Sequence, residues 1–250
     1  MSDVFEIPKE LLRVFSKVER VAVLTGAGIS AESGVPTFRG ADGLWSKLNP
    51  RELASMDAFL QNPQRVWEWY QQRKKIMRDV QPNAAHLALV DLERMFSHFS
   101  IATQNIDGLH TRAGSRTVYE LHGNIERNRC ASCGALHKLE SEAIVPPRCH
   151  CGGLIRPDVV WFGEMLPEEA WQKALDAARS AQLYISIGTS AQVYPAAGLP
   201  FEALSHNAFV VEINLEPTEL TPYAHLSLHR KAGEILPKLV EAVKKERSFC

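Results

Sequence analysis

Val21-Ala22-Val23-Leu24-Thr25-Gly26-Ala27-Gly28-Ile29-Ser30-Ala31-Glu32-Ser33-Gly34-Val35-Pro36-Thr37-Phe38-Arg39-Gly40 is the stretch that decides the fold. Its first four residues are a short, β-branched apolar run, the pattern of a parallel strand buried on both faces. Gly26-Ala27-Gly28-Ile29-Ser30-Ala31 then satisfies G-x-G-x-x-(G/A) directly after a strand. In that context glycines let backbone N–H groups approach a pyrophosphate at the start of a helix or turn. Gly-rich strand ends are also ordinary turns, so the pattern alone does not decide function. A common dinucleotide fold would continue as a long helix and a second strand ending in Asp or Glu. Gly34 and Pro36 break such a helix, so residues 32–40 are expected to form a loop able to fold over a ligand. A simple dehydrogenase fits this poorly.

Working outward, runs of the same kind recur at Ser100-Ile101-Ala102-Thr103, at Leu183-Tyr184-Ile185-Ser186-Ile187 and at Ala208-Phe209-Val210-Val211-Glu212-Ile213. Helical patterns lie at about 84–95, 167–179 and 234–246, with Asn83 and Pro167 as start signals for the first two. Alternating strands and helices predict an α/β fold, a doubly wound parallel sheet of Rossmann-like type covered on both faces. Residues 124–158 interrupt that rhythm with paired cysteines and Pro146-Pro147, and read as a small inserted module. The expected organisation is therefore a discontinuous domain of residues 1–123 and 159–250, the module 124–158, and a substrate cleft between them.

The module holds Cys130-x-x-Cys133 and Cys149-x-Cys151, four of the five cysteines in the chain. Two close thiolate pairs suit a tetrahedral zinc ribbon with no open coordination position, a site that holds structure rather than performing a reaction. The second pair is C-x-C rather than C-x-x-C, which leaves His137 and His150 as rival ligands. Two disulfides in a secreted protein are the alternative. Composition describes an enzyme-sized globule: 250 residues, 45% apolar, 23% charged and a net charge of −1. Near-neutral charge argues against a surface that holds nucleic acid by bulk attraction. The N-terminal residues carry neither a signal-peptide nor a transit-peptide pattern, and no window approaches ~20 apolar residues. A cytoplasmic monomer is expected, with Cys250 a free surface thiol.

GAGISAESGVPTFRG (26–40) resembles the signature loop of the sirtuins, a family of NAD-dependent protein-lysine deacylases. The resemblance recurs in order along nearly the whole chain. Thr103-Gln104-Asn105-Ile106-Asp107-Gly108-Leu109-His110 matches the family's TQNIDGLH segment, and Leu121-His122-Gly123 its HG motif just before the cysteines. Pro157-Asp158-Val159-Val160-Trp161-Phe162-Gly163-Glu164 resembles the substrate-strand segment. Gly188-Thr189-Ser190 resembles the GTS loop, and Ile213-Asn214 the loop holding the adenosine ribose.

The resemblance implies cleavage of the bond between nicotinamide and ribose, followed by transfer of the acyl group to ADP-ribose. His122 would be the general base, a role suited to an imidazole titrating near working pH. Asn105, the second catalytic residue implied, would bind the nicotinamide and ribose end together with Asp107, Gln104 and Ile106. Gly26, Ala27, Gly28, Ser30, Ala31, Glu32, Thr37 and Trp45 would line the cofactor. Phe38 would shield the reacting ribose, and Arg39 would meet polar groups of the cofactor. Gly188, Thr189, Ser190, Asn214, Leu215 and Glu216 would line its adenosine half. Leu228-His229-Arg230-Lys231-Ala232-Gly233 lacks a Gly that many relatives carry just before it, which leaves the adenine contact at Ala232 open. The four cysteines would hold one structural zinc ion.

Trp67-Glu68-Trp69-Tyr70-Gln71-Gln72-Arg73 sets Tyr70 and Arg73 three residues apart, on one helix face. With Ala41 in Phe38–Trp45, this resembles the sirtuins that remove succinyl and malonyl groups. A guanidinium fork and a phenol suit the terminal carboxylate of such a chain, for which Ala41 would leave room. Val160, Trp161, Phe162 and Gly163 would hold the acylated-lysine peptide. The competing reading packs Tyr70 into the core and leaves Arg73 as a solvated helix charge. Two other functions remain beside deacylation: mono-ADP-ribosyl transfer from the same NAD site, and a zinc-ribbon module binding nucleic acid or protein. The latter lacks an interleaved basic and aromatic stripe.

Overall fold

The computed structural model describes residues 5–37, 49–138 and 145–247. Phe38, Arg39, Ala41, Trp45 and Cys250 lie outside the described residues. The strands are β1 (Arg20–Thr25), β2 (His98–Thr103), β3 (Val118–Glu120), β4 (Gly123–Cys130), β5 (Leu136–His137), β6 (Ile155–Val159), β7 (Leu183–Ile187), β8 (Phe209–Asn214) and β9 (Leu226–His229). The helices are α1 (Lys9–Phe15), α2 (Pro50–Leu53), α3 (Met56–Gln61), α4 (Pro63–Asp79), α5 (Ala84–Glu93), α6 (Leu109–Ala113), α7 (Glu168–Ser180), α8 (Leu199–Ser205) and α9 (Ala232–Arg247).

Six strands form one sheet in the order β3-β2-β1-β7-β8-β9, and every pairing in it is parallel. All but the first residue of β1 and β2, and the whole of β7, are buried, as the apolar runs require. One face is closed by α1, α5 and α9 through Leu11, Phe15, Leu89, Leu92, Ile235 and Leu239. The other is closed by α7 and α8 through Ala174, Ala178, Leu199 and Ala203. This is the doubly wound architecture. The expected strands and helices are present with ends moved by a residue or two, while β3, β9 and the short helices add to them.

The strand order reverses between β1 and β7, and a crevice for ligands opens where connections leave in opposite directions from strand ends. Here the two glycines of the first motif have a role the sequence did not reveal. The Gly28 N–H donates to the Gly188 carbonyl at 2.8 Å, and the Gly26 N–H to Ile187 at 3.0 Å. A methyl group on Gly28 would stand 2.7 Å from the Gly188 Cα. Their small size lets two strand ends touch, and their N–H groups are committed to the end of β7 and to Gly188 just after it. A 3-10 turn, Ala27–Ser33, follows Gly26 and stops at Gly34, whose φ of 89° favours glycine.

The smaller sheet, β5-β4-β6, is antiparallel. It begins one residue after His122, and the Val160 N–H donates to the His122 carbonyl at 2.9 Å where it rejoins the chain. A third apolar cluster ties α3 and α4 to this sheet: Phe59, Val66, Tyr70 and Met77 meet Ile125, Val159 and Trp161. Residues 50–79 therefore share a core with the ribbon's strands.

Candidate active site

The carboxyl ends of β1 and β2 deliver the polar residues of the central motifs to one buried patch. Asn105 and Asp107 are 6% and 4% exposed, and Ser30 from the 3-10 turn is fully buried beside them. Asn105 Nδ2 donates to the Gly26 carbonyl and to Ser30 Oγ, both at 3.1 Å. Ser30 Oγ donates to Asp107 Oδ2 at 2.8 Å, and the Leu109 N–H to Asp107 Oδ1 at 2.9 Å. Burial pushes the Asp107 carboxyl above the ordinary carboxylate range, against those two donors.

Two histidines absent from the expected site set support this patch from beneath. His86, at the third position of α5, accepts the Asn83 N–H on Nδ1 at 3.3 Å, completing a capping box. Its Nε2 lies 3.4 Å from Ser30 Oγ. His110 Nε2 lies 2.9 Å from Thr25 Oγ1, which donates in turn to Thr103 Oγ1. The rings pack with centroids 4.9 Å apart, and burial pushes His86 down to about 4 and His110 down to about 3. Both are neutral supports. His110 stands inside the quoted 103–110 segment, and Asn83 with His86 three residues on was a capping signal.

His122 follows β3. Its Nδ1 lies 2.9 Å from the Gln104 carbonyl, which fixes Nδ1 as donor and leaves Nε2 unprotonated. Burial lowers its pKa below the ordinary 6.5, only partly offset by that carbonyl. Gln104 also donates from Nε2 to Thr189 Oγ1 at 3.0 Å, linking β2 to the loop after β7. Ile106 is half-buried, as are Ala27, Thr37, Gly188, Ser190 and Asn214, whereas Ala31, Leu215 and Glu216 are exposed at the rim. Asn214 Nδ2 donates to the Glu216 carbonyl at 2.8 Å and shapes that loop. Glu32 receives the Gly233 N–H at 2.8 Å, so it ties the 3-10 turn to the start of α9 beside buried Ala232.

The cysteine quartet is gathered as expected. Cys130 and Cys151 sulfurs lie 3.5 Å apart, and Cys133 and Cys149 sulfurs 3.8 Å apart. A disulfide needs about 2.05 Å, so the disulfide alternative fails. Four sulfurs at about 2.3 Å from a central zinc ion would stand about 3.8 Å from one another. The quartet fits that ion. The Ser132 N–H reaches Cys130 Sγ at 3.3 Å, a donor suited to a thiolate. His137 and His150 both approach Cys149 rather than replacing it.

The model of the Sir2 family matches residues 26–195. This chain belongs to the Sir2 family. It is 52% identical over 225 residues to the "NAD-dependent protein deacylase 2" of Pyrobaculum aerophilum, covering 89% of this chain and 90% of that protein. A mutant Sir2 homologue in complex with 2′-O-acetyl ADP-ribose superposes with a TM-score of 0.91 at 45% identity, covering 97% and 98% of the two chains. A Sir2–p53 peptide–NAD+ complex superposes with a TM-score of 0.82 at 35% identity, covering 93% and 97%.

In this Sir2 chain the acyl-pocket candidates sit where α4 meets the segment after β6. Tyr70 is 3% exposed, and its hydroxyl accepts the Trp161 Nε1–H at 2.8 Å. Arg73 is 5% exposed, with its guanidinium 4.9 Å over the Trp69 ring. It is therefore no solvated helix charge, although Tyr70 does belong to an apolar cluster. Burial raises the Tyr70 phenol well above its ordinary range, so it stays protonated. Behind Trp161 lies Arg156, 1% exposed, 3.2 Å over the indole and paired with Glu164. Phe162 and Gly163 are exposed and border a cleft of about 660 Å³ shared with α3 and α4.

Proposed function

We propose that this chain is an NAD-dependent protein-lysine deacylase that removes acetyl and also succinyl or malonyl groups, yielding nicotinamide and O-acyl-ADP-ribose. Bound NAD supplies an activated glycosidic carbon and the ribose hydroxyl that finally carries the acyl group. The observation that carries the reading is His122, its Nδ1 committed to Gln104, at the strand ends that hold Asn105, Asp107 and Ser30. His122 Nε2 takes a ribose hydroxyl proton as general base. Asn105 and Asp107, preset by Ser30, orient the nicotinamide end. Ala27 of the 3-10 turn, with Gly188, Thr189 and Ser190, would hold the phosphates and adenosine half. Asn214 and Glu216 would form the rim around it, with Ala232 buried beside them.

Val160, Trp161, Phe162 and Gly163 hold the peptide, and the 660 Å³ cleft is its approach. Arg73 supports the dicarboxylate reading because its guanidinium offers a carboxylate a bidentate fork of donors, held out of bulk water beside Tyr70. Tyr70 accepts from Trp161 and so keeps its own O–H to donate to the same carboxylate. Cys130, Cys133, Cys149 and Cys151 hold one structural zinc within a module of residues 124–158. Thiols kept for metal rather than disulfide support a reducing compartment, and the cytoplasm is the location proposed. Acetylated and succinylated peptides, each supplied with NAD and resolved by mass, test the reading. Free lysine and both O-acyl-ADP-ribose products are expected. Peptide carrying ADP-ribose instead would mean mono-ADP-ribosyl transfer and overturn it.

A further inference from the structure

The ribbon carries a second donor set that a structural zinc does not need. His137 Nε2, from β5, lies 3.2 Å from Cys149 Sγ, and His150 Nδ1 lies 3.4 Å from the same sulfur. The three donor atoms fall within 4.8 Å of one another. Zn–S bonds of about 2.3 Å and Zn–N bonds of about 2.0–2.1 Å put sulfur and nitrogen about 3.5 Å apart around a tetrahedral ion. Both observed separations agree with that edge to within a few tenths of an ångström.

The surroundings favour a cation there. A zinc ion with four thiolates carries a net charge of −2, and its sulfurs remain basic enough to bridge a second ion. Cys149 is buried on the quartet's side, His137 is half-buried, and His150 is exposed, so the set opens toward solvent. The two imidazole rings, 6.4 Å between centroids, approach one sulfur from two chain segments. β5 pairs with β4, His137 opposite Asn128, which anchors that ring to the strand leading to Cys130.

We propose a second metal site made of Cys149 Sγ, His137 Nε2 and His150 Nδ1, in which Cys149 bridges two ions. Mixed thiolate and imidazole donors select a borderline divalent transition ion, Zn2+ or Co2+, with water completing its coordination. The site is independent of the NAD chemistry.

The test uses the full chain holding one zinc, titrated with Zn2+ or Co2+ and followed by native mass spectrometry. The wild type should take up a second equivalent, more weakly held than the first. His137→Ala with His150→Ala should abolish that second equivalent, keep the first, and leave the melting temperature of the one-zinc form unchanged. With 113Cd in both sites, two resonances should appear, coupled to each other through the shared sulfur. Three results overturn the proposal: a wild type that stops at one equivalent, a double variant that still takes up two, or a double variant that loses the first. The last would make a histidine a ligand of the structural centre.

Discussion

At the scale of single residues, His122 and Arg73 carry the most specific expectations. His122 is buried enough to lie below the ordinary 6.5, so it is unprotonated and ready as a base across the neutral range. Protonation on acidification removes the base. The acid limb of kcat/KM should therefore have its midpoint below pH 6.5 and vanish in His122→Ala. That variant should lose about 10²–10⁴ in turnover while still binding NAD, as measured by calorimetry. Near-normal deacylation would end the assignment. Arg73 is tested by a ratio. Removing one partner of a buried charge pair costs on the order of 2–5 kcal/mol, which is roughly 30- to several-thousand-fold in rate. Arg73→Met should lower desuccinylation by that factor and leave deacetylation nearly intact. Equal losses on both peptides would mean that Arg73 only supports the helix.

At the scale of elements, α4 joins the acyl-pocket candidates to the cysteine ribbon. Tyr70 and Arg73 occupy its middle, Trp67 packs against Cys130, Cys149 and Ile155, and Lys74 Nζ donates to Asn128 Oδ1 at 2.7 Å. Cys130→Ser or Cys149→Ser should release zinc and lower the melting temperature sharply, since metal-binding energy in such a ribbon is largely folding energy. α4 should loosen with the ribbon, so desuccinylation should fall at least as far as the folded fraction does. A variant that keeps both its metal and its melting temperature would show a wrong ligand set. The sheet was legible because β1, β2 and β7 are buried on both faces and read as continuous apolar runs. β3 and β9 were not, being short and only partly buried. The link between α4 and the ribbon was also hidden, since it rests on contacts between residues far apart in sequence. The Gly26-x-Gly28 motif was legible as a motif, but its N–H partners on β7 depend on a strand that follows much later.

At the scale of the whole molecule, the floor of the site makes the fold sensitive to acid. His86 and His110 are neutral and buried, with folded values of about 4 and about 3 against 6.5 when unfolded. The unfolded chain therefore takes up protons first, and stability is fully present above 6.5 and lost as pH falls below it. Each histidine costs about 1.4 kcal/mol per pH unit within that window. Asp107 acts in the opposite sense, because its folded carboxyl is raised and holds a proton more tightly than the unfolded one. A single carboxyl offsets at most one proton, so the buried histidines together dominate as pH falls below 6.5. Urea midpoints measured across that range should fall steadily with acidification. Replacing His110 by Gln removes one of three lowered imidazoles, His86, His110 and His122, so the slope should shrink by roughly a third or more even though stability at pH 7 also drops. An unchanged slope in His110→Gln would mean that the pair beneath Ser30 does not govern acid unfolding.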